Sequence, residues 1–400
     1  MQSAPISRKL RIAIVARRVP LPMYTGINLV IHHLAARLSA DNEVLMLVTD
    51  DDSPRDAGSL PFSVRACGKS GYGDEGAAVA PGATYSSRLS GYYGVPDSRK
   101  SWLEREVADF NPDVVLGFGY DLAAYLEGLI GRWPVVFDPI DSEVLYLWRR
   151  LRSGRLQLAT IKHLVMSVAL ARGVLSRCDS LVTVSGEDTG NLRFITGLQK
   201  TYTVPNGVDC DFFRPDPARA PVAGRIIFTG SMGWPPNAQA VEWFLELCWN
   251  RILQVRPDAS LVIVGKGMSD SQRAVFARHR NVQALGFVDD IREHVLASEV
   301  AIAPMISGSG IKNKVLESWA MARAVVATAL AARGLQATPG EHLLVAEGHV
   351  EFANSVILLL DNPSLRDRIG SAGRELASAD YSWASMADRM TRILAGAVHS

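Results

Sequence analysis

Short apolar runs recur along the chain, each followed by a loop of small or polar residues and then by apolar positions at helical spacing. In the first half these runs are residues 10–16 (LRIAIVA), 43–49, 114–118, 134–137 and 180–185 (SLVTVS). In the second half they are residues 224–229 (GRIIFT), 260–264, 282–288, 300–304, 324–328 and 343–345. A run that is apolar at nearly every position, not at alternate ones, predicts a strand buried on both faces of a parallel sheet. Between runs, spacings such as Leu29, Val30, Ile31, Leu34, Ala35 and Leu38 predict amphipathic helices. Residues 68–96, rich in Gly, Ser, Ala and Tyr, read as long loops with weak elements. Residues 147–177 read as one long helical region carrying several arginines.

A Pro- and Asp-dense stretch at residues 204–217 interrupts this alternation, after which it restarts. Four hundred residues exceed what one core usually supports. Both observations predict an α/β protein of two tandem β/α domains, facing across a cleft, each with ligand loops at strand ends.

Composition narrows the functional classes. A net charge of +1 lacks the basic excess of a nucleic-acid binder, so no nucleic-acid partner is expected. No uninterrupted run of about 18 apolar residues occurs, so no membrane-spanning segment is expected. The N-terminus lacks the pattern of a leader, and a cytoplasmic location is expected. Arg149, Arg150 and Arg152 leave two readings of residues 147–177 open: a solvated face, or peripheral contact with anionic lipid at the inner membrane face. Cys67, Cys178, Cys210 and Cys248 are scattered without a CxxC, which is neither a disulfide scaffold nor a zinc site.

The chemistry concentrates at residues 307–317, SGSGIKNKVLE. Glycines let a backbone approach a ligand, and the first N–H groups of a helix lack internal partners, so a phosphate fits such a loop. Lys312 and Lys314 add positive charge at the start of the helix, and Glu317 lies on the Lys314 face, three residues on. A loop that merely closes a βαβ unit is the duller reading. In the first half, Gly26 falls at the carboxyl end of the first strand, where open α/β sheets bind ligands. Asp138 and Asp141 follow a buried strand and are candidates for a general base or a hydroxyl-orienting group; Asp141 or Ser142 capping the next helix is the competing reading. An acidic residue of the run Asp50, Asp51 and Asp52, after the second strand, suggests a ribose ligand of a dinucleotide fold, but the first loop has no GxGxxG.

Read together, VPNGVD (204–209), FTG (228–230), WPPN (234–237), IVG (263–265), GFVD (286–289), GSGIKNKVLE (308–317) and YSW (381–383) resemble the family-four glycosyltransferases. The order and spacing match over roughly residues 180–395, and the subgroup most similar is the exopolysaccharide-type sugar transferases. The resemblance implies a GT-B fold of two Rossmann-like domains and transfer from a nucleoside-diphosphate sugar with retention, without a cofactor or metal. It implies domains at 1–205 (acceptor side, with a last helix at about 383–400 packing back on it) and 206–382 (nucleotide sugar). By position, Gly308, Gly310, Ile311, Lys312, Lys314 and Gly26 look like diphosphate-binding residues. Glu317 looks like the ribose ligand and Val288 like a backbone contact to the base. Gly230, Ser231 and Asn237 are further donor contacts.

Three departures from the family pattern stand out. Ser309 occupies the place of the first carboxylate of a Glu-x7-Glu pair, Ser231 and Asn237 stand where an Arg and a Lys are usual, and Ile140 or Asp141 replaces the catalytic-loop His while Thr25 replaces one Gly. Phosphate neutralisation is therefore expected to rest on Lys312 and Lys314. With no carboxylate pair for a covalent double displacement, direct front-face transfer is expected, with Asp141 orienting or deprotonating the acceptor hydroxyl. The resemblance implies as acceptor a glycan, a lipid-linked sugar or a small molecule. A sugar-nucleotide epimerase or hydrolase of the same shape, and a non-catalytic sugar-nucleotide-binding protein, are the alternatives.

Overall fold

The structure, a computed structural model, describes residues 9–21, 26–50, 60–67, 85–152, 157–308 and 310–399. The chain divides into two compact units, Met1–Pro205 together with Met386–Ser400, and Asn206–Ser385.

The first unit holds β1 (Arg11–Ala16), β2 (Glu43–Val48), β3 (Ser63–Ala66), β4 (Val114–Phe118), β5 (Val135–Asp138), β6 (Ser180–Thr183) and β7 (Thr201–Thr203). They form one sheet in the order β3-β2-β1-β4-β5-β6-β7, and every pairing is parallel. The second unit holds β8 (Arg225–Thr229), β9 (Ser260–Val264), β10 (Val282–Gly286), β11 (Val300–Ala303), β12 (Ala324–Thr328) and β13 (Leu344–Ala346). Their order is β10-β9-β8-β11-β12-β13, again all parallel.

Crossover helices cover both faces of such sheets, which is why the central strands are apolar throughout. Residues 12–16 of β1 and all of β4, β11 and β12 are buried. Each sheet reverses its winding beside its first strand, between β1 and β4 and between β8 and β11. The crevice outside the carboxyl ends of the strands at that reversal is where α/β sheets take ligands.

Several expectations from the sequence need correction. Residues 147–177 are not one helix but two, Glu143–Arg152 and Leu158–Gly173, followed by a 3-10 turn at Leu175–Arg177. Gly154, a poor helix former, lies in the sequence between them. Where residues 68–96 read as loops, a helix forms at Tyr85–Tyr92; residues 68–84 lie outside the described residues. The short edge strand β3 also went unanticipated. By length and composition alone, Leu158–Arg177 passes for a membrane-crossing helix, a test that the core helix of a soluble protein also meets. Counting unbroken apolar runs overlooks it, because Lys162, His163 and Arg172 interrupt a stretch made mostly of Leu, Ala, Val, Ile and Met. Ser167, Leu170 and Ala171 of that helix are buried in the first unit.

Candidate functional site

The loop after β11 leads into the helix Asn313–Ala320 at the switch point of the second sheet. Gly308 and Gly310 adopt φ of +102° and +68°, a region open to glycine at little cost. Lys312 is the residue before the first turn, 8% exposed, and its Nζ donates to the Gly310 carbonyl at 2.8 Å. Ile311 is buried, so what its position offers a ligand is backbone.

Lys314 turns inward. Its Nζ lies 3.8 Å from the centroid of the buried Phe228 ring, donates to Asn237 Oδ1 at 2.8 Å and approaches Met305 Sδ at 3.6 Å. Asn237 Nδ2 donates in turn to the Ser231 carbonyl at 2.9 Å. A neutral amide thus holds the amine without neutralising it. Burial lowers the Lys314 pKa to about 7, and the charge of Lys312 adds to this while Glu317 opposes it. Burial likewise raises Glu317 to about 7 against the pull of Lys314. Among the described residues no hydrogen bond or ion pair holds the Glu317 carboxylate.

Glycines make room for this arrangement. A Cβ on Gly230 would lie 3.0 Å from Lys314 Nζ and 2.8 Å from Asn237 Nδ2, and one on Gly265 would overlap the Gly230 carbonyl oxygen. The ends of β8 and β9 therefore approach more closely than any side chain permits.

The structure brings Gly230, Ser231, Asn237, Gly308, Gly310, Ile311, Lys312, Lys314 and Glu317 to one place, outside β8 and β11. Val288 follows the edge strand β10, three places from β11 and so roughly 14 Å along the sheet. Only an elongated ligand touches both. Ser309 and Thr25 lie outside the described residues. Sequence reading passed over Met305, and it placed Phe228 in a motif without its contact to Lys314. It also passed over the role of Asn206, whose Nδ2 donates to Asn313 Oδ1 at 3.2 Å and steadies the helix start.

In the first unit, Gly26 opens the helix Gly26–Asp41 and is exposed. Asp138 ends β5 and is 2% exposed; its Oδ1 accepts the Ile140 N–H at 2.8 Å. Burial raises its pKa to about 7, against the Ile140 hydrogen bond and with help from the Asp141 charge. Ile140 has φ of +72°, costly for a β-branched residue, and the Asp138 bond is one of the contacts that hold this turn. Ser142, not Asp141, caps the next helix: its Oγ accepts the Leu145 N–H at 3.3 Å. Asp50 is engaged by Arg17 at 2.9 Å and Arg99 at 2.8 Å, while Arg17 also pairs with Asp121 at 2.9 Å. That network occupies the switch point of the first sheet and leaves Asp50 poorly placed to bind ribose.

Two doubly wound Rossmann-like sheets in one chain, with the polar cluster at the switch point of the second, define the GT-B fold. The solved structure of Anabaena HepE in complex with UDP has the same fold: its TM-score is 0.69 at 14% identity, covering 97% of this chain and 100% of that one. Residues 223–362, within the second unit, match the family model described as glycosyl transferases group 1. The chain is 31% identical over 247 residues to a GDP-mannose-dependent monoacylated alpha-(1-6)-phosphatidylinositol monomannoside mannosyltransferase of Corynebacterium glutamicum, covering 56% of this chain and 64% of that one. It is 30% identical over 200 residues to a phosphatidyl-myo-inositol mannosyltransferase of Mycobacterium leprae, covering 48% of this chain and 52% of that one. The chain thus spans less than two thirds of the length of these curated relatives.

The two shifted groups predict opposite pH slopes. Lys314, depressed to about 7, contributes stability that is present at high pH and lost as pH falls toward 7. Glu317, raised to about 7, contributes stability that is present below the ordinary carboxylate range and lost as pH rises toward 7. Urea unfolding of the ligand-free protein should therefore show a dip in stability near pH 7 that is flattened in a Lys314→Met/Glu317→Gln variant. Identical pH profiles for the two proteins would contradict the assigned burial.

Proposed function

We propose that this protein is a glycosyltransferase that moves a sugar from a nucleoside-diphosphate sugar to an acceptor hydroxyl, with retention, in glycan or glycolipid biosynthesis. The observation that carries the proposal is the Lys314 amine, held by neutral Asn237 above Phe228 beside a helix start. Such a site is poor in fixed negative charge and rich in donors, which suits a diphosphate. Lys312 and Lys314, the first N–H groups of the helix and the Gly308–Ile311 backbone would stabilise charge developing on the departing diphosphate, with no metal required. Glu317 would accept from the ribose hydroxyls and the backbone at Val288 would meet the base. Gly26, exposed at a helix start in the first unit, remains a candidate for a phosphate contact. Asp141 would orient the acceptor hydroxyl, and Asp138 acts as the buried strut that sets its turn.

The relatives support a nucleotide-sugar donor: one is named for GDP-mannose, and the solved neighbour holds UDP. Their names also support a glycan or lipid acceptor. Peripheral membrane contact gains support from the two helices Glu143–Arg152 and Leu158–Gly173. Trp148, Leu158 and Val165 are 52%, 87% and 59% exposed, beside exposed Arg150, Arg152 and Lys162. Apolar side chains set among basic ones suit an anionic bilayer surface.

UDP or GDP should raise the melting temperature of the wild type by mass action. Lys314→Met should abolish that shift and lower turnover on the order of 100-fold. A variant that keeps both would remove Lys314 from the donor site. On the membrane side, the protein should sediment with phosphatidylglycerol vesicles at low salt, and a Leu158→Glu/Val165→Glu variant should stay in the supernatant. Equal sedimentation of both would sink the membrane reading.

A further inference from the structure

A second line of polar side chains runs through the first unit, built from elements far apart in sequence. Tyr92 ends the helix Tyr85–Tyr92, Glu143 opens the helix Glu143–Arg152, and His163 lies in the second turn of the helix Leu158–Gly173. His163 Nε2 is 2.6 Å from Glu143 Oε1, and His163 Nδ1 is 2.8 Å from the Tyr92 hydroxyl. All three side chains are half-buried.

The hydrogen-bond inventory orders this line. A carboxylate that only accepts assigns the proton of a neutral imidazole to Nε2 and leaves a lone pair on Nδ1. The Tyr92 O–H then donates to Nδ1. What remains on the Tyr92 oxygen is acceptor capacity, suited to an incoming hydroxyl. The order hydroxyl, imidazole, carboxylate is that of an activated nucleophile chain, with the tyrosine standing between base and substrate. Its place fits an acceptor role: Glu143 lies in the first turn after the β5 loop, five residues beyond Asp138, outside the carboxyl ends of the strands. The Tyr93 ring packs edge-on against Tyr92 at 5.1 Å and lines the same region with an aromatic face. Burial, and secondarily the Glu143 charge, raise the Tyr92 pKa, so its oxygen stays protonated unless His163 takes the proton in the same step.

We infer that Tyr92 touches the acceptor, a sugar or polyol hydroxyl, and that His163 backed by Glu143 receives the proton through it. This rests on the glycosyl-transfer reading above. In the step, the acceptor oxygen forms a bond to the anomeric carbon as the bond from that carbon to the diphosphate oxygen breaks, the electron pair leaving with the diphosphate. The acceptor proton passes to the Tyr92 oxygen while the Tyr92 proton passes to His163 Nδ1. Glu143 stabilises the imidazolium, which later gives its proton to solvent. Tyr92 is a catalytic residue in this account, and Glu143 is a positioning residue that fixes the tautomer.

The test uses the full chain with radiolabelled UDP-glucose and GDP-mannose as donors and a bacterial lipid extract as acceptor source. Tyr92→Phe and His163→Gln should each lower kcat about 100-fold with donor KM unchanged, and the double variant should be no slower than either single one. Glu143→Gln should lower kcat by a smaller factor, and nitrogen-15 spectra of the wild type should show the His163 proton on Nε2. Full activity in Tyr92→Phe, additive losses in the double variant, or a proton on Nδ1 would each overturn the relay while leaving the donor site standing. If the wild type transfers sugar from neither donor, the transfer reading falls and the relay falls with it.

Discussion

The second unit depends on one restraint: an amine kept under the protein surface with no carboxylate in contact among the described residues. Lys314 has an amide on one side and a phenyl ring beneath it, and its nearest charges are another lysine and a carboxylate one turn away. Desolvation makes the cation costly there, so the group sits near the point of losing its proton. Under the proposed function, an anionic ligand would repay that cost and restore the cation. The same desolvation holds Glu317 near the point of gaining a proton, which keeps it from quenching the amine as a fixed ion pair would.

Backbone geometry makes this possible. Parallel strands deliver the loops after β8, β9 and β11 to one edge, and the reversal of winding between β8 and β11 opens a crevice there. Gly230 and Gly265 let two strand ends nearly touch, and this space is where Asn237 and Lys314 meet. Sequence changes that look drastic beside the family pattern, Asn237 and Ser231 for charged residues, become intelligible together: the Asn237 amide ties the Ser231 carbonyl to the Lys314 amine, and Lys314 supplies the charge.

How much of this was legible beforehand follows from the range of each signal. Strands such as β1 and β11 are read directly because burial on both faces demands apolar residues at every position. The loop and helix at residues 308–317 are read because glycine, lysine and helix start lie within ten residues. What the sequence hid is long-range. Met305 goes unmarked in the sequence, the contacts of Phe228 and Asn206 with the helix residues are not readable from their motifs, and His163 carries no local signal before Tyr92 and Glu143 meet it from two other helices. The helix Tyr85–Tyr92 was hidden for a local reason: Gly, Ser and Tyr are weak helix formers, and packing overrides that propensity. Residues 147–177 misled in the opposite sense, because helical apolar spacing on both sides of Gly154 concealed the break.

The central claim is that the Lys314 amine, its pKa lowered to about 7 by burial, gains a proton when an anionic ligand binds. Calorimetric titration with UDP or GDP at pH 8, in buffers of differing ionisation enthalpy, measures the protons exchanged on binding. The account predicts uptake approaching one proton by the wild type and none by Asn237-intact Lys314→Met protein. A wild-type binding enthalpy independent of the buffer would contradict it.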